Sequence, residues 1–308
     1  MAATLPRVLA LSEWMWQLRD RWKDHFDVVG PRKGDDPLAW LEENGRGITA
    51  MWAVGHDPLS AAELDLLPDL KRVVVMSAGM DGMDIEEMAR RNLVVSTTSE
   101  INDDEVADHA MAMMLALRRG LFENHQWVRE NRWIDEGRAP MTRSIANTRV
   151  GIAGLGWIGQ AIARRTVPFK SEIAWWGPRD KPGIDWPRYD SLVELARWCD
   201  VLMVAVRAHD DTRNLITREI IDAVGPEGMV INISRGFVVD EDALIAALKD
   251  GRLGQAGLDV FEPEPTSAAR WEGVPNVLLQ PHVAGATTDS IQRVINHSVD
   301  QLRKYLAN

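Results

Sequence analysis

The sequence predicts an α/β protein built on parallel sheets, and three observations carry that expectation. Short apolar runs recur along the chain with longer helical patterns between them; alternating strand and helix buries a parallel sheet on both faces. A chain of 308 residues forms two domains or one large one, with ample material for a core. A glycine-rich turn at residues 148–160 stands between an apolar strand and a helical segment.

Composition removes several function classes. The chain has 35 Lys+Arg against 46 Asp+Glu, a formal net charge of −11. Such a surface disfavours nucleic acid and anionic membranes, which attract basic proteins. A single Cys, Cys199, excludes an internal disulfide framework and a Cys-based zinc cluster. No 18-residue apolar run exists, and the early stretch VLALSEWMW is broken by Glu13. Neither a membrane-spanning helix nor a secretory leader is expected, so a cytoplasmic location is. Against 2 Tyr and 5 Phe stand 13 Trp, an excess that composition alone does not explain.

Strands are expected at Arg7–Leu11, Ala50–Val54, Arg72–Met76, Leu93–Ser96, Arg149–Ala153, Glu172–Trp176, Val201–Val206, Met229–Ile233, Gly257–Val260 and Val277–Gln280. A helix is expected near Trp14–Trp22, and amphipathic helices at Ser191–Trp198 and Glu241–Lys249. The richest helical pattern runs from Asp103 to Glu130. Its acids sit in the first turn, and Val106, Ala110, Met113, Met114 and Leu117 follow helical spacing. This methionine stripe reads as core packing, and His109 within it as a packed or capping residue.

Residues 148–160 read TRVGIAGLGWIGQ. Gly154 permits the tight turn, Gly156 lets a pyrophosphate approach the backbone, and Gly159 lets helix and strand pack closely. Trp157 and Ile158 fill the variable positions and present backbone N–H groups at the helix N-terminus, where a phosphate is stabilised. The strand ending at Trp176 then reads on as GPRDK. An acid at its end would hold the 2′-hydroxyl of NAD. Gly177 stands there instead, with Arg179 and Lys181 close by, so NADP(H) is the preferred cofactor. Asp180 keeps NAD(H) open. Val206 and Ile233 at two further strand ends, and Gly285, extend the expected cofactor-binding set.

Three strands lead into polar residues at the ends where open α/β sheets bind ligands. They are Ser234-Arg235-Gly236, Phe261-Glu262-Pro263-Glu264-Pro265, and Pro281-His282. Hydride transfer to a ketone needs a proton donor near neutral pH, a role that suits His282. A carboxylate beside it, from Glu262 or Glu264, would orient the ring, and Arg235 would bind a substrate carboxylate bidentately. No histidine pair has metal-ligand spacing with neighbouring acids, so no metal is expected. No G-x-S-x-G elbow is present, which disfavours a hydrolase.

The stretches SAGMDGMDIEEMARRNLVVS, INDDEVADHAMAMMLALRR, VGIAGLGWIG, VINISRG, VVDEDALIAALKDGRLGQAGLDVFEPEP and LLQPHVAGAT cover most of the chain from Leu70 to Thr288. On these residues the sequence resembles the D-isomer-specific 2-hydroxyacid dehydrogenases, in the glyoxylate/hydroxypyruvate and hydroxyphenylpyruvate reductase branch. The resemblance implies Arg235, Glu264 and His282 as the catalytic set and Asp259 as a contact to the nicotinamide amide. It implies backbone recognition of the substrate carboxylate by Ala78, Gly79 and Met80. It also implies two Rossmann-like domains, 1–100 with 285–308 for substrate and 101–284 for dinucleotide, with the active site in the interdomain cleft of a homodimer. The expected reaction is NAD(P)H-dependent reduction of a small 2-keto acid, glyoxylate or hydroxypyruvate, to the D-2-hydroxy acid. Aromatic or longer 2-keto acids are an alternative, as is a non-catalytic dinucleotide-sensing scaffold or corepressor.

The chain departs from the branch in two places. Arg207-Ala208-His209-Asp210-Asp211-Thr212 replaces the usual Pro-Leu-Thr segment, and Gly177-Pro178-Arg179 replaces Ser-Arg-Ser. Trp52 and Trp133 are candidates for an apolar wall of the cleft or of the dimer interface, and His56 and His209 for pocket or cofactor contacts.

Overall fold

The computed structural model describes residues 5–306, apart from 13, 14, 16, 17, 56, 58, 78, 81 and 99. The chain divides into two compact units, 1–102 with 288–308, and 103–287.

The first unit holds β1 (Arg7–Ala10), β2 (Asp27–Val29), β3 (Ala50–Ala53), β4 (Arg72–Val75) and β5 (Val94–Thr97). They form one parallel sheet in the order β2-β1-β3-β4-β5. Side chains alternate across a strand, and both faces are covered. Val8, Ala10, Trp52 and Val74 pack with Val294, Ile295, Val299 and Leu302 on one face. Leu9, Met51, Val73 and Val75 pack with Leu41, Leu64 and Met88 on the other. The stripe 294, 295, 299 and 302 is one face of the helix Thr288–Leu306, so the end of the chain belongs to the unit that begins it.

Two expectations need correction here. Trp52 is fully buried, stacked on Trp22 with ring centroids 4.1 Å apart and with Phe26 edge-on at 5.2 Å. It is core, not the wall of a binding site. The strand β2 was not expected; it is a three-residue edge strand with no fully buried side chain, too short to show alternation. The helix expected near Trp14–Trp22 falls largely on residues outside those described. Its described part ends in a 3-10 turn, Arg19–Arg21.

The second unit holds β6 (Arg149–Ala153), β7 (Glu172–Trp176), β8 (Val201–Val204), β9 (Met229–Asn232), β10 (Gln255–Leu258) and β11 (Val277–Leu279). All pair in parallel, in the order β11-β10-β9-β8-β6-β7. Strand order reverses between β6 and β8, the switch point at which open α/β sheets bind ligands. The helix Asp103–Arg118 buries Val106, Ala110, Met113, Met114 and Leu117 against Ile152, Met203 and Ile231 of this sheet.

The helical pattern 103–130 is not one helix. Gly120 adopts a left-handed backbone (φ +54°) and separates Asp103–Arg118 from Leu121–Arg129. Asn131 (φ +59°) then precedes a short helix, Arg132–Asp135. This arm carries exposed Phe122, Val128, Trp133 and Ile134, and Met141 follows it. Among the described helices none is long and apolar enough to cross a membrane.

Candidate active site

The glycine turn begins where β6 ends. Gly154 has φ +94°, a left-handed backbone that favours glycine. A Cβ on it would lie 2.7 Å from the backbone of Val206, so the turn abuts the segment leaving β8. Gly159 is buried, and a Cβ there would stand 2.2 Å from the Gly154 carbonyl oxygen. Gly156 differs: a Cβ would meet nothing within 4 Å. It starts the helix Trp157–Thr166 without a side-chain cap, whereas Asp36, Ser60, Asp84, Thr217 and Asp240 cap other helices. The N–H groups of that first turn therefore lack a side-chain acceptor at the positive end of the helix dipole. A pyrophosphate would satisfy both. The Trp157 ring is exposed, and Ile158 is half-buried.

At the end of β7 the Gly177 carbonyl accepts a hydrogen bond from Arg188 Nη2 at 2.9 Å. The same guanidinium sits 2.8 Å from Asp180 and 3.4 Å from Asp190, and 5.7 Å from the Trp175 ring centroid. The acid that kept NAD(H) open is thus engaged by a cation. Arg179 is exposed and Lys181 half-buried on the same turn.

Arg235, Glu264 and His282 stand on the segments that leave β9, β10 and β11, three neighbouring strands. His282 Nδ1 lies 2.8 Å from Glu264 Oε2, and Glu264 Oε1 accepts the Phe261 N–H at 2.8 Å. Burial pushes the Glu264 carboxyl up, but His282, the Phe261 N–H and Arg235 outweigh it and hold it below the usual carboxylate range. His282 itself adopts a left-handed backbone, φ +53°. A non-glycine residue held there is strained, and such strain clusters at functional sites.

Several residues that sequence reasoning passed over hold this geometry. Asn232 is buried; its Nδ2 donates to the Arg235 carbonyl at 3.0 Å and its Oδ1 accepts the Ser234 N–H at 3.0 Å. Ser234 Oγ donates to the Val206 carbonyl at 2.9 Å, joining the Arg235 loop to the switch point. A Cβ on Gly236 would fall 1.9 Å from the Phe261 backbone, so only glycine lets the Arg235 and Glu264 loops meet. Glu241, buried, accepts the Glu262 N–H at 2.7 Å and Arg270 Nε at 2.9 Å. Burial lifts its carboxyl, and the Glu262 N–H and Arg270 only partly offset that. Ser234 stood in the polar segment after the strand, whereas Asn232 lies inside β9 and carried no such signal. Nothing local signalled Glu241, whose partners lie more than 20 residues away.

Asp259, 1% exposed, accepts the N–H groups of Val283 and Ala284 at 2.8 and 2.9 Å. His109, a largely packed residue of the helix, places its Nε2 3.7 Å from Asp259 Oδ1. Ile233 is buried in the core cluster that includes Ala284, and Gly285 follows Ala284. In the first unit, the Gly55 N–H donates to Ser77 Oγ at 2.9 Å, and Ser77 Oγ donates to the Gly79 carbonyl at 2.8 Å. These bonds hold the loop of Gly79 and Met80, which are half-buried. Ala78 and His56 lie outside the described residues. His209 is exposed and shapes its own turn, where its N–H meets Thr212 Oγ1 at 2.9 Å. Cys199 is buried and its thiol is pushed up to about 12 by that burial, which makes it chemically inert.

A doubly wound parallel sheet with such a turn at its switch point has the architecture of a dinucleotide-binding domain. The family is identified by comparison. Residues 111–284 match the NAD-binding domain of the D-isomer-specific 2-hydroxyacid dehydrogenases, and the chain belongs to that family of NAD(P)-dependent oxidoreductases. It is 39% identical over 303 residues to a 2-ketogluconate reductase of Gluconobacter oxydans, covering 98% of this chain and 96% of that protein. It is 40% identical over 255 residues to a hydroxyphenylpyruvate reductase of Plectranthus scutellarioides, covering 83% and 80%. An NADPH-dependent glyoxylate/hydroxypyruvate reductase of Sinorhizobium meliloti, solved with NADP and malonate, superposes with a TM-score of 0.89. Its identity is 32%, covering 99% of this chain and 95% of that one.

Proposed function

We propose that the protein reduces a small 2-keto acid, glyoxylate or hydroxypyruvate, to its D-2-hydroxy acid with NADPH in preference to NADH. The observation that carries the reading is the His282–Glu264 pair at 2.8 Å, with Arg235 on the neighbouring strand end, in the unit that holds the glycine turn. The residues present fit a dinucleotide: open space at Gly156 and an uncapped helix start receive the phosphates. Gly154, Gly156, Trp157, Ile158 and Gly159 would hold the pyrophosphate, and Gly177, Arg179 and Lys181 the adenosine ribose with its 2′-phosphate. Val206, Ile233, Asp259 and Gly285 would line the nicotinamide end. When bound, the nicotinamide supplies the hydride.

The chain's own residues do the rest. Arg235 pairs with the substrate carboxylate and draws electron density from the adjacent carbonyl. His282 hands its proton to the carbonyl oxygen as negative charge develops there. Glu264, ionised through its own hydrogen bonds, holds the imidazole in the orientation that aims this proton and stabilises its protonated form. The unit 1–102 with 288–308 is assigned to substrate recognition, and 103–287, which carries Gly285, to the dinucleotide.

Steady-state assays with glyoxylate, hydroxypyruvate, 2-ketogluconate and phenylpyruvate, each with NADPH and NADH, test the proposal. A higher kcat/KM for glyoxylate or hydroxypyruvate with NADPH supports it. Preference for an aromatic acid would follow the similarity to the Plectranthus enzyme, and silence across the panel would favour a dinucleotide-sensing scaffold. A homodimer is part of the reading, supported by the exposed Phe122, Val128, Trp133 and Ile134 on one arm, an apolar surface suited to a second copy. Light scattering tests it. A cytoplasmic location suits a chain whose one thiol is free and buried.

A further inference from the structure

His109 lies two turns inside the helix Asp103–Arg118, at the edge of its core-packing face, between buried Val106 and Met113 and half-buried Glu105. Its side chain is 22% exposed, but Nε2 is buried and has no hydrogen-bond partner among the described residues. A buried imidazole nitrogen without a partner costs free energy unless a charge nearby compensates. The group it faces is the Asp259 carboxylate, 3.7 Å away and 1% exposed. Asp259 in turn accepts the N–H groups of Val283 and Ala284, the two residues that follow His282. Helix, carboxylate and catalytic loop therefore form one chain of contacts.

We propose that His109 is a positioning residue: its ring, set against the Asp259 carboxylate, favours the ionised form of that buried group, and through Asp259 it holds the backbone that carries His282. The proposal rests on the cofactor reading above, in which Asp259 lines the nicotinamide end as an ionised acceptor.

The surroundings leave this role to His109. Burial lifts the Asp259 carboxyl above the usual carboxylate range, and the two N–H groups, His109 and His282 only partly offset that. On the helix, Asp104 and Asp108 are taken by Arg165 at 2.9 and 2.5 Å, and Glu105 lies one turn before His109. From β9 comes uncharged Asn232, whose carbonyl receives the Asp259 N–H at 3.0 Å. From the loop after β11 comes His282, whose ring is committed to Glu264. Without His109, Asp259 takes up a proton at higher pH. It then loses acceptor strength toward both backbone N–H groups.

The test is carboxyl-carbon NMR of the full chain labelled at aspartate, with the Asp259 resonance identified by its loss in Asp259→Asn. His109→Leu and the more conservative His109→Gln should each move the Asp259 titration midpoint upward by about one pH unit, the shift expected for removing an opposite charge at this range. NADPH affinity, read by fluorescence between about pH 5 and pH 8, should weaken up to about tenfold at the acid end and little at the alkaline end. An Asp259 midpoint unchanged in the Gln variant overturns the proposal. So does a loss of affinity that is the same at every pH, which would mark His109 as packing alone. A moved midpoint in a protein that binds no NADPH would support the pairing and count only against the cofactor reading.

Discussion

The two units carry nearly the same sheet and use it differently. In the first, strands run β2-β1-β3-β4-β5; in the second, the same order is extended by one strand at its far edge. Both are parallel and buried on both faces. Yet the first strand of the first unit, β1, runs on into Leu11 and Ser12, whereas β6 runs into Gly154, an uncapped helix and open space at Gly156. The first unit's close backbone approach comes instead after β3 and β4, where a Cβ on Gly55 would collide with the Gly79 carbonyl. Topology sets where a loop can act, and loop chemistry sets what it does.

That contrast can be broken by mutation. The largest effect is expected at His282. His282→Ala should lower kcat by about 10²- to 10⁴-fold, the usual worth of a positioned proton donor, while NADPH binding and thermal stability hold. Retained turnover would remove His282 from its role. Next come the glycines. Gly159→Ala drives a Cβ to 2.2 Å from the Gly154 carbonyl and should cost about 1–3 kcal/mol of stability in denaturant unfolding. Gly156→Ala meets no protein atom, so stability should change by less than about 0.5 kcal/mol. Cofactor affinity should nonetheless fall. If both variants lose stability equally, Gly156 does not face open space.

Glu264→Gln sharpens the view of the catalytic pair. The folded carboxyl sits below its ordinary range, so its ionised form favours the native state. That contribution is full above the unfolded value of about 4.3 and is lost as pH falls through the folded value. Urea unfolding of wild type and variant should therefore differ near neutral pH and converge in acid. Arg179→Ala is the smallest expected change, a loss of NADPH over NADH preference with kcat little altered. An unchanged preference would shift attention to Lys181.

Much of this was legible in the residues. Ten strands were placed within two residues of where they stand, because a parallel strand buried on both faces reads as an uninterrupted apolar run. Gly154, Gly156 and Gly159 each showed a distinct backbone demand. Arg235, Glu264 and His282 were visible as polar residues after such runs. Long helical periodicity was less informative at its ends: Met113 and Leu117 continue the pattern, but the left-handed backbone at Gly120 ends the helix. Trp52 misled because a strand-end aromatic has the same sequence signature whether it faces a ligand or a second indole.

By itself, the sequence determined the alternation of strand and helix, the glycine turn and the identity of the chemical groups, since each follows from neighbours along the chain. Only the tertiary structure decided that Arg188 occupies Asp180, that Glu241 holds the Glu262 backbone and that His109 faces Asp259. Those partners are separated by 8, 21 and 150 residues, and no local periodicity records which side chains a parallel sheet will bring together.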